Sequence, residues 1–286
     1  MNAELVECAA QAETFLGRWG DARLHLVQAR ALAPRSPTLA QRLGAVLLWT
    51  RRYPEAIDAC DAAIRLAPQN PASLELKAMA YLAQGDLTGA RRVVAERPAE
   101  MEAADLVLNL GLYWDLMWVL DAAQQQLLLG LPVEAFGGDV PSRALTFAQT
   151  YALAGNTREV RRFAEEAERG FASQLAQNLD NQQVGIAHAL SLAYLGRRDE
   201  AIREGQRVME LLPLSRDAHS GPYRQHQLVR IYMILGEPDK ALDELEPLLK
   251  MPYYLSPAWL AIDPNFTPLK GHPRFERLLQ RGGETR

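Results

Sequence analysis

Apolar residues in the N-terminal third of the chain recur every three or four positions, which is the spacing of one face of an α-helix. Polar and charged residues fill the positions between them. Successive runs are separated by short turns, so the pattern predicts pairs of amphipathic helices. Neither helix of a pair can bury its apolar face alone, and we therefore expect the pairs to stack. The clearest runs are Leu39, Leu43, Val46 and Leu47, followed by Ala56, Ile57, Cys60, Ala63 and Ile64.

The helix pairs share a short phrase, in which a Gly or Arg at the turn is followed five positions later by Ala, and a Pro closes the unit. The spacing is 34 residues from Pro34 to Pro68 and again from Arg51 to Gly85. Proline cannot continue a helix, and the small alanines let two helices approach closely. A 34-residue period with helix-turn-helix content resembles the tetratricopeptide repeat.

The later units are looser but still recognisable. The fourth is irregular over residues 110–127, and the turns of the next three lie at Gly155, Gly196 and Gly236. Spacings of 41 and 40 residues between these turns predict lengthened helices. With the resemblance, the pattern predicts an all-α, tetratricopeptide-type right-handed superhelical solenoid of about seven helix pairs with a C-terminal capping segment.

We expect a single solenoid over residues 1–286, because the repeats and the cap use nearly the whole chain. Four repeats would form an N-terminal block at 1–130, and three would form a C-terminal block at 142–252. Proline and glycine residues at 131–141 predict a bend between the blocks. Residues 253–286 are expected to form the cap, in which Phe275, Leu278 and Leu279 make one apolar stripe that covers the last exposed core.

The C-terminal region also resembles the end of bacterial tetratricopeptide regions that follow an effector domain. The resemblance lies in residues 253–269 (YYLSPAWLAIDPNFTPL) and 272–275 (HPRF), with further similarity at 113–125 and 220–232. In that group the effector is a eukaryotic-like serine/threonine kinase, a TolB-type propeller, an adenylate-cyclase domain or a winged-helix regulator. The resemblance implies a module of a bacterial signalling protein. The sequence contains no glycine-rich ATP loop, HRD-type segment or DFG, so we expect no enzyme.

Composition argues against several other classes of function. The 31 Lys and Arg residues nearly balance 35 Asp and Glu residues, which argues against a basic face for nucleic acid. Cys8 and Cys60 are far apart and the five histidines lack ligand spacing, so we expect no metal site and no cofactor. The most apolar stretch, 106–120, is interrupted by Asn109 and Asp115 and is shorter than the roughly 20 residues that span a membrane. The N-terminus shows no export signal, and a cytoplasmic location is expected.

The resemblance implies that the first helix of each pair lines a concave binding surface. A groove with an apolar centre and polar ends suits an extended or amphipathic peptide. We therefore expect a non-enzymatic scaffold for a protein or peptide partner, including a kinase or other effector domain. The alternative is a small-molecule sensor whose cleft lies near 131–141 and which responds by changing curvature. Carrying the inward-facing positions over gives the candidate contacts Gln41, Trp49, Glu75, Gln149, Tyr194, His226 and Arg230.

Overall fold

The computed structural model describes residues 2–213 and 216–281, so the end of the predicted cap, at 282–286, lies outside the described residues. Seven helix pairs follow one another in this part of the chain, which confirms the predicted architecture. The pairs are α1 (Ala3–Phe15) with α2 (Trp19–Leu32), α3 (Pro37–Trp49) with α4 (Tyr53–Leu66), α5 (Pro71–Ala83) with α6 (Leu87–Ala95), α7 (Ala103–Leu112) with α8 (Ala122–Leu129), α9 (Val140–Leu153) with α10 (Thr157–Gln177), α11 (Gln182–Tyr194) with α12 (Arg198–Leu211), and α13 (Gly221–Ile234) with α14 (Pro238–Leu248).

The C-terminal segment adds α15 (Pro257–Ile262), a 3₁₀ turn at Pro264–Leu269, and α16 (Pro273–Arg281). Phe275 and Leu278 of α16 are buried, while Glu276, Arg277 and Gln280 are exposed. This is the arrangement that the apolar stripe in the sequence predicts. No strand occurs within the described residues, and none of the helices described there is both long and apolar enough to cross a membrane.

Local chemistry explains where the helices of the first repeats begin and end. Ser36 and Asn70 cap α3 and α5 by accepting hydrogen bonds from backbone N–H groups, and a proline follows each cap in the first turn. The turns inside the first three pairs lie at Gly17, Arg51 and Gly85, which all have positive φ. Arg51 adopts the left-handed conformation although it carries a side chain, because the 34-residue repeat places the turn at this position.

Small residues set the distance between neighbouring helices. Ala56 and Ala63 of α4 are fully buried. At Gly44 of α3, an added Cβ would lie 2.8 Å from the Sγ atom of Cys60, so only glycine fits this contact. Each helix pair packs against the next, and a continuous apolar core runs along the stack.

The two lengthened repeats differ from each other. The first expected extension is confirmed, because α10 is 21 residues long. The second expectation, a longer helix between Gly196 and Gly236, is wrong. The extra residues there lie in the connection between α12 and α13, at 212–220, while α12 keeps 14 residues.

The C-terminal part of the chain reaches back to the first three repeats. The backbone N–H of Ala218 donates to the carbonyl of Phe15 at 3.1 Å, and the Arg51 guanidinium donates to the carbonyl of Leu249 at 2.5 Å. The hydroxyl of Ser256 donates to the carbonyl of Ala83 at 2.6 Å. The segment after α14 therefore does more than cover the last repeat, because it also packs α15 against α5.

Candidate binding site on the concave face

A buried ion pair lies at the centre of the C-terminal half. Arg230 is on α13, and its Nη1 lies 2.9 Å from Oδ2 of Asp115, which follows α7. Both side chains are almost completely buried. Burial alone would lower the pKa of Arg230, but the Asp115 carboxylate outweighs this effect and raises it. Arg230 is therefore charged inside the protein, and its charge is balanced across two repeats.

Further hydrogen bonds complete this network. The Tyr223 hydroxyl and the Gln227 side-chain amide donate to Oδ2 of Asp115 at 2.9 and 2.7 Å. Arg230 donates to the side-chain oxygens of Gln227 and Gln149 at 3.0 and 2.5 Å. Tyr194 of α11 also interacts with Arg230. The network thus joins α9, α11 and α13 to the connection between α7 and α8, and satisfies the buried charges.

A cleft of about 230 Å³ opens in front of this network. Its walls come from α7, α9 and α11, which contribute Leu112, Leu145 and Leu190. Tyr223 and Gln227 of α13 form the opposite side. Leu112, Leu145, Gln149 and Leu190 are inward-facing positions of successive repeats, so the cleft is an open part of the concave face. The other lining residues are Tyr113, Asp115, Asp139, Ser142, Thr146, Phe171, Gln183, Ile186 and Ala187.

The seven predicted contact residues do not form one surface. Gln149 lines the cleft, while Tyr194 and Arg230 belong to the network behind it. The other four lie elsewhere: Gln41 bonds to Asn70, Glu75 bonds to Asn109, His226 lies between Tyr253 and Tyr254, and Trp49 lines a second cleft of about 140 Å³. The chain's own C-terminal segment covers much of the concave face between the two clefts.

Trp49 and His226 mark where this covering occurs. The ring of Trp49 contacts Tyr254 edge to face, with ring centroids 6.0 Å apart. The ring of His226 stacks parallel to Phe266, with centroids 5.8 Å apart. Tyr254 and Phe266 both belong to the segment that follows α14. Two positions predicted to contact a partner therefore contact the C-terminal segment instead.

Sequence reasoning missed Asp115, Tyr223 and Gln227. Asp115 lies in the irregular fourth repeat, where the 34-residue period gives no expected role to any position. A charged residue inside the apolar stretch 106–120 was the available signal. Tyr223 and Gln227 lie on the same face of α13 as Arg230, and this spacing of four and three residues was the signal for them.

Glu75 is a buried carboxyl group on α5 with a single hydrogen-bond donor nearby. The Asn109 side-chain amide donates to its Oε2 at 2.7 Å, whereas its buried Oε1 has no hydrogen-bond partner. Burial raises the pKa of Glu75 well above its ordinary value, although the Asn109 hydrogen bond opposes this. A raised folded-state pKa means that folding loses stability as the pH rises above the unfolded value of 4.5.

Replacing Glu75 by glutamine is therefore expected to stabilise the protein at alkaline pH. Glutamine has the same shape, keeps an acceptor for Asn109 and has no charge to bury. We expect a gain of at least about 1 kcal/mol at pH 8 that disappears below pH 4.5, measured by urea unfolding across this range. Glu100→Gln, at an exposed position, is the control and should give no such pH-dependent gain. A gain that is equal at all pH values would contradict the assignment.

The described residues contain no cluster of three or more His, Cys, Asp or Glu side chains suited to a metal ion. Burial raises the pKa of the Cys60 thiol to about 12, so this thiol is unreactive at neutral pH.

Comparison with known proteins adds a direct observation on the N-terminal repeats. Residues 9–71 match the tetratricopeptide repeat family. The fold is a tetratricopeptide-repeat solenoid. The matched residues begin in α1 and end at the start of α5, where the 34-residue period is most regular. No curated protein matches the chain in sequence.

Solved structures with similar folds are distant in sequence. A tetratricopeptide repeat protein from Parabacteroides merdae is 15% identical, with 97% of each chain covered and a TM-score of 0.43. A thermophilic tetratricopeptide protein of Thermus thermophilus is 17% identical, with 76% of this chain and 91% of that chain covered and a TM-score of 0.34. The TPR2AB domain of yeast Sti1, solved with pHSP90, is 14% identical, with coverages of 99% and 98% and a TM-score of 0.35. At these identities the similarity concerns the fold alone.

Proposed function

We propose that this tetratricopeptide-repeat solenoid is a non-enzymatic scaffold that binds a segment of a partner protein in the 230 Å³ cleft. The observation that carries the proposal is the position of the cleft. Inward-facing residues of three successive first helices, α7, α9 and α11, line it together, and α13 closes one side. The other inward-facing positions are largely covered by the chain itself, so the partner would enter here.

The lining predicts the chemistry of the partner segment. Leu112, Leu145 and Leu190 offer an apolar wall, and the amides of Gln149 and Gln183 can bond to a peptide backbone. Asp115 and Asp139 are the charged lining residues, and none of the described lining residues is Lys or Arg. The cleft therefore suits a short extended segment with an apolar side chain, and does not suit an acidic tail.

The C-terminal resemblance makes a signalling effector, such as a kinase domain, the first partner to test. In this proposal the solenoid acts as the recognition part of a bacterial signalling protein in the cytoplasm. The residues that support this context are those of the 253–275 segment, and the cleft itself makes no distinction between effector types.

A variant that fills the cleft tests the proposal. Ala187 lies on α11 in the cleft lining, whereas Ala176 lies exposed near the end of α10 and outside that lining. Peptides selected from a displayed library on the wild-type protein should bind Ala187→Trp at least tenfold more weakly. They should bind Ala176→Trp with unchanged affinity, measured by calorimetry. Equal binding to both variants, with both still folded by circular dichroism, would contradict the proposal.

A small-molecule sensor is the second candidate, and one observation favours it. Asp139, from the 131–141 segment, lines the cleft, and 230 Å³ is enough for a small ligand. A metabolite that raises the melting temperature of the wild-type protein, but not that of Ala187→Trp, would support this reading. Recovery of cleft-dependent peptides without any such metabolite would favour the scaffold.

A further inference from the structure

The first helix of the solenoid presents an apolar face to solvent. Leu5 is 70% exposed and Leu16 is 68% exposed, although both are leucines. Cys8, Ala9 and Ala12 lie between them on the same side of α1 and are also exposed. The spacing of these five residues forms one continuous stripe along the helix. Exposed apolar stripes of this kind mark surfaces that another molecule covers.

The second repeat shows what normally covers these positions. One repeat of 34 residues after Leu5, Ala9 and Ala12 come Leu39, Leu43 and Val46 of α3. All three are buried, and α3 packs against α2 of the preceding pair. In α1 the same positions are apolar, but no described helix precedes them. The face on α1 therefore has the composition of an internal contact between repeats.

The apolar surface continues onto α2. Leu24 and Val27 of α2 are exposed, and the residues 34 positions later, Asp58 and Asp61, are acidic. At these places the first repeat is apolar where the second is charged. The exposed apolar residues of the first repeat are thus a property of its sequence and extend over two helices.

The opposite end of the solenoid has a different surface. There α16 buries Phe275 and turns Glu276, Arg277 and Gln280 towards solvent. A head-to-tail stack would place the apolar face of one copy against this charged surface, which is unfavourable. The surface that matches the apolar face is the same face of a second copy, and this is the isologous contact of a two-fold dimer.

The charges at the two ends of α1 fit an antiparallel pairing. Glu4 is exposed at the N-terminal end, and Arg18 is exposed just beyond the C-terminal end. Two antiparallel copies bring each Glu4 near the Arg18 of the other chain, and they also oppose the two helix dipoles favourably. In the same register Leu5 meets Leu16, and Ala9 and Ala12 allow close approach at the centre.

We propose that two copies of the chain associate head to head through the apolar face of α1. The interface leaves the 230 Å³ cleft free, because none of its lining residues is on α1. This inference is therefore independent of the proposed function.

Sedimentation of charged variants tests the dimer. The wild type is expected to sediment as a dimer at high micromolar concentration, and Leu5→Glu and Leu16→Glu as monomers with unchanged circular dichroism. Leu179→Asp is the matched control, because Leu179 is 66% exposed in the connection between α10 and α11 and should leave the dimer intact. A monomeric wild type, or a dimer that persists in both α1 variants, would overturn the proposal.

Crosslinking through Cys8 gives a second readout. Cys8 is exposed within the face, whereas Cys60 is buried. Bismaleimidohexane should therefore link two wild-type chains through Cys8, and Cys8→Ser should abolish the link. A crosslink that survives this substitution, or its absence in a sample that sediments as a dimer, would place the interface elsewhere.

Discussion

Replacing Arg230 by methionine is expected to lower the free energy of unfolding by about 3–5 kcal/mol. Methionine fills much of the same space but leaves Asp115 as a buried carboxylate without its cation. Gln149 also loses the donor that bonds to its side-chain oxygen. The loss should appear as a lower urea midpoint at neutral pH. Arg158→Met is the control, because the Arg158 side chain is 92% exposed, and it should change stability by less than about 0.5 kcal/mol.

The double variant Asp115→Asn with Arg230→Met separates pairing from packing. It contains no unpaired buried charge, so it should be more stable than Arg230→Met alone. If the two substitutions simply add, the ion pair does not carry the effect. Arg230→Glu would bury two carboxylates together and disrupt the core, so loss of partner binding in that variant would not locate a binding surface.

Acidification is expected to destabilise the protein through His226. Burial lowers the pKa of this imidazole to about 3, and nearby Arg230 acts in the same direction. Between pH 6.5 and pH 3 the unfolded chain binds a proton that the folded chain does not. The free energy of unfolding should fall with pH by about 1.4 kcal/mol per unit, or about 3 kcal/mol between pH 6.5 and pH 4.

The test compares the pH dependence of wild type with His226→Phe and His226→Gln. Both variants remove the titrating group, so both should lack this part of the loss, whatever each costs at pH 7. Burial raises the pKa values of Glu75 and Asp263, which gives the opposite pH dependence. These carboxyl groups are present in all three proteins, and their contribution cancels in the comparison. Parallel curves for wild type and variants would contradict the role of His226.

The repeat architecture could be predicted because it depends on local patterns. The 34-residue spacing and the Ala and Pro positions specify helix pairs that contact their neighbours in the chain. The apolar stripe at Phe275 and Leu278 was predictable for the same reason. The regular part of the sequence therefore contained the information needed for the helix pairs and the end of the cap.

The site was less predictable because it depends on contacts between distant segments. The curvature of the solenoid determines that Asp115 meets Arg230 and that Tyr254 meets Trp49. Neither contact leaves a periodic signal in the sequence. The predicted inward-facing positions were assigned repeat by repeat, without the C-terminal segment that now covers part of that face. Gln149 is the predicted residue that lines the open cleft.

The contacts of the C-terminal segment with the turns at Gly17, Arg51 and Gly85 change how this solenoid should unfold. In a linear repeat array each unit depends only on its neighbours, and the ends can fray while the middle stays folded. Here the first three repeats and the C-terminal segment stabilise one another across nearly the whole length of the chain. The protein should therefore unfold as one cooperative unit, and it should fold more slowly than an open array, because these contacts close very large loops.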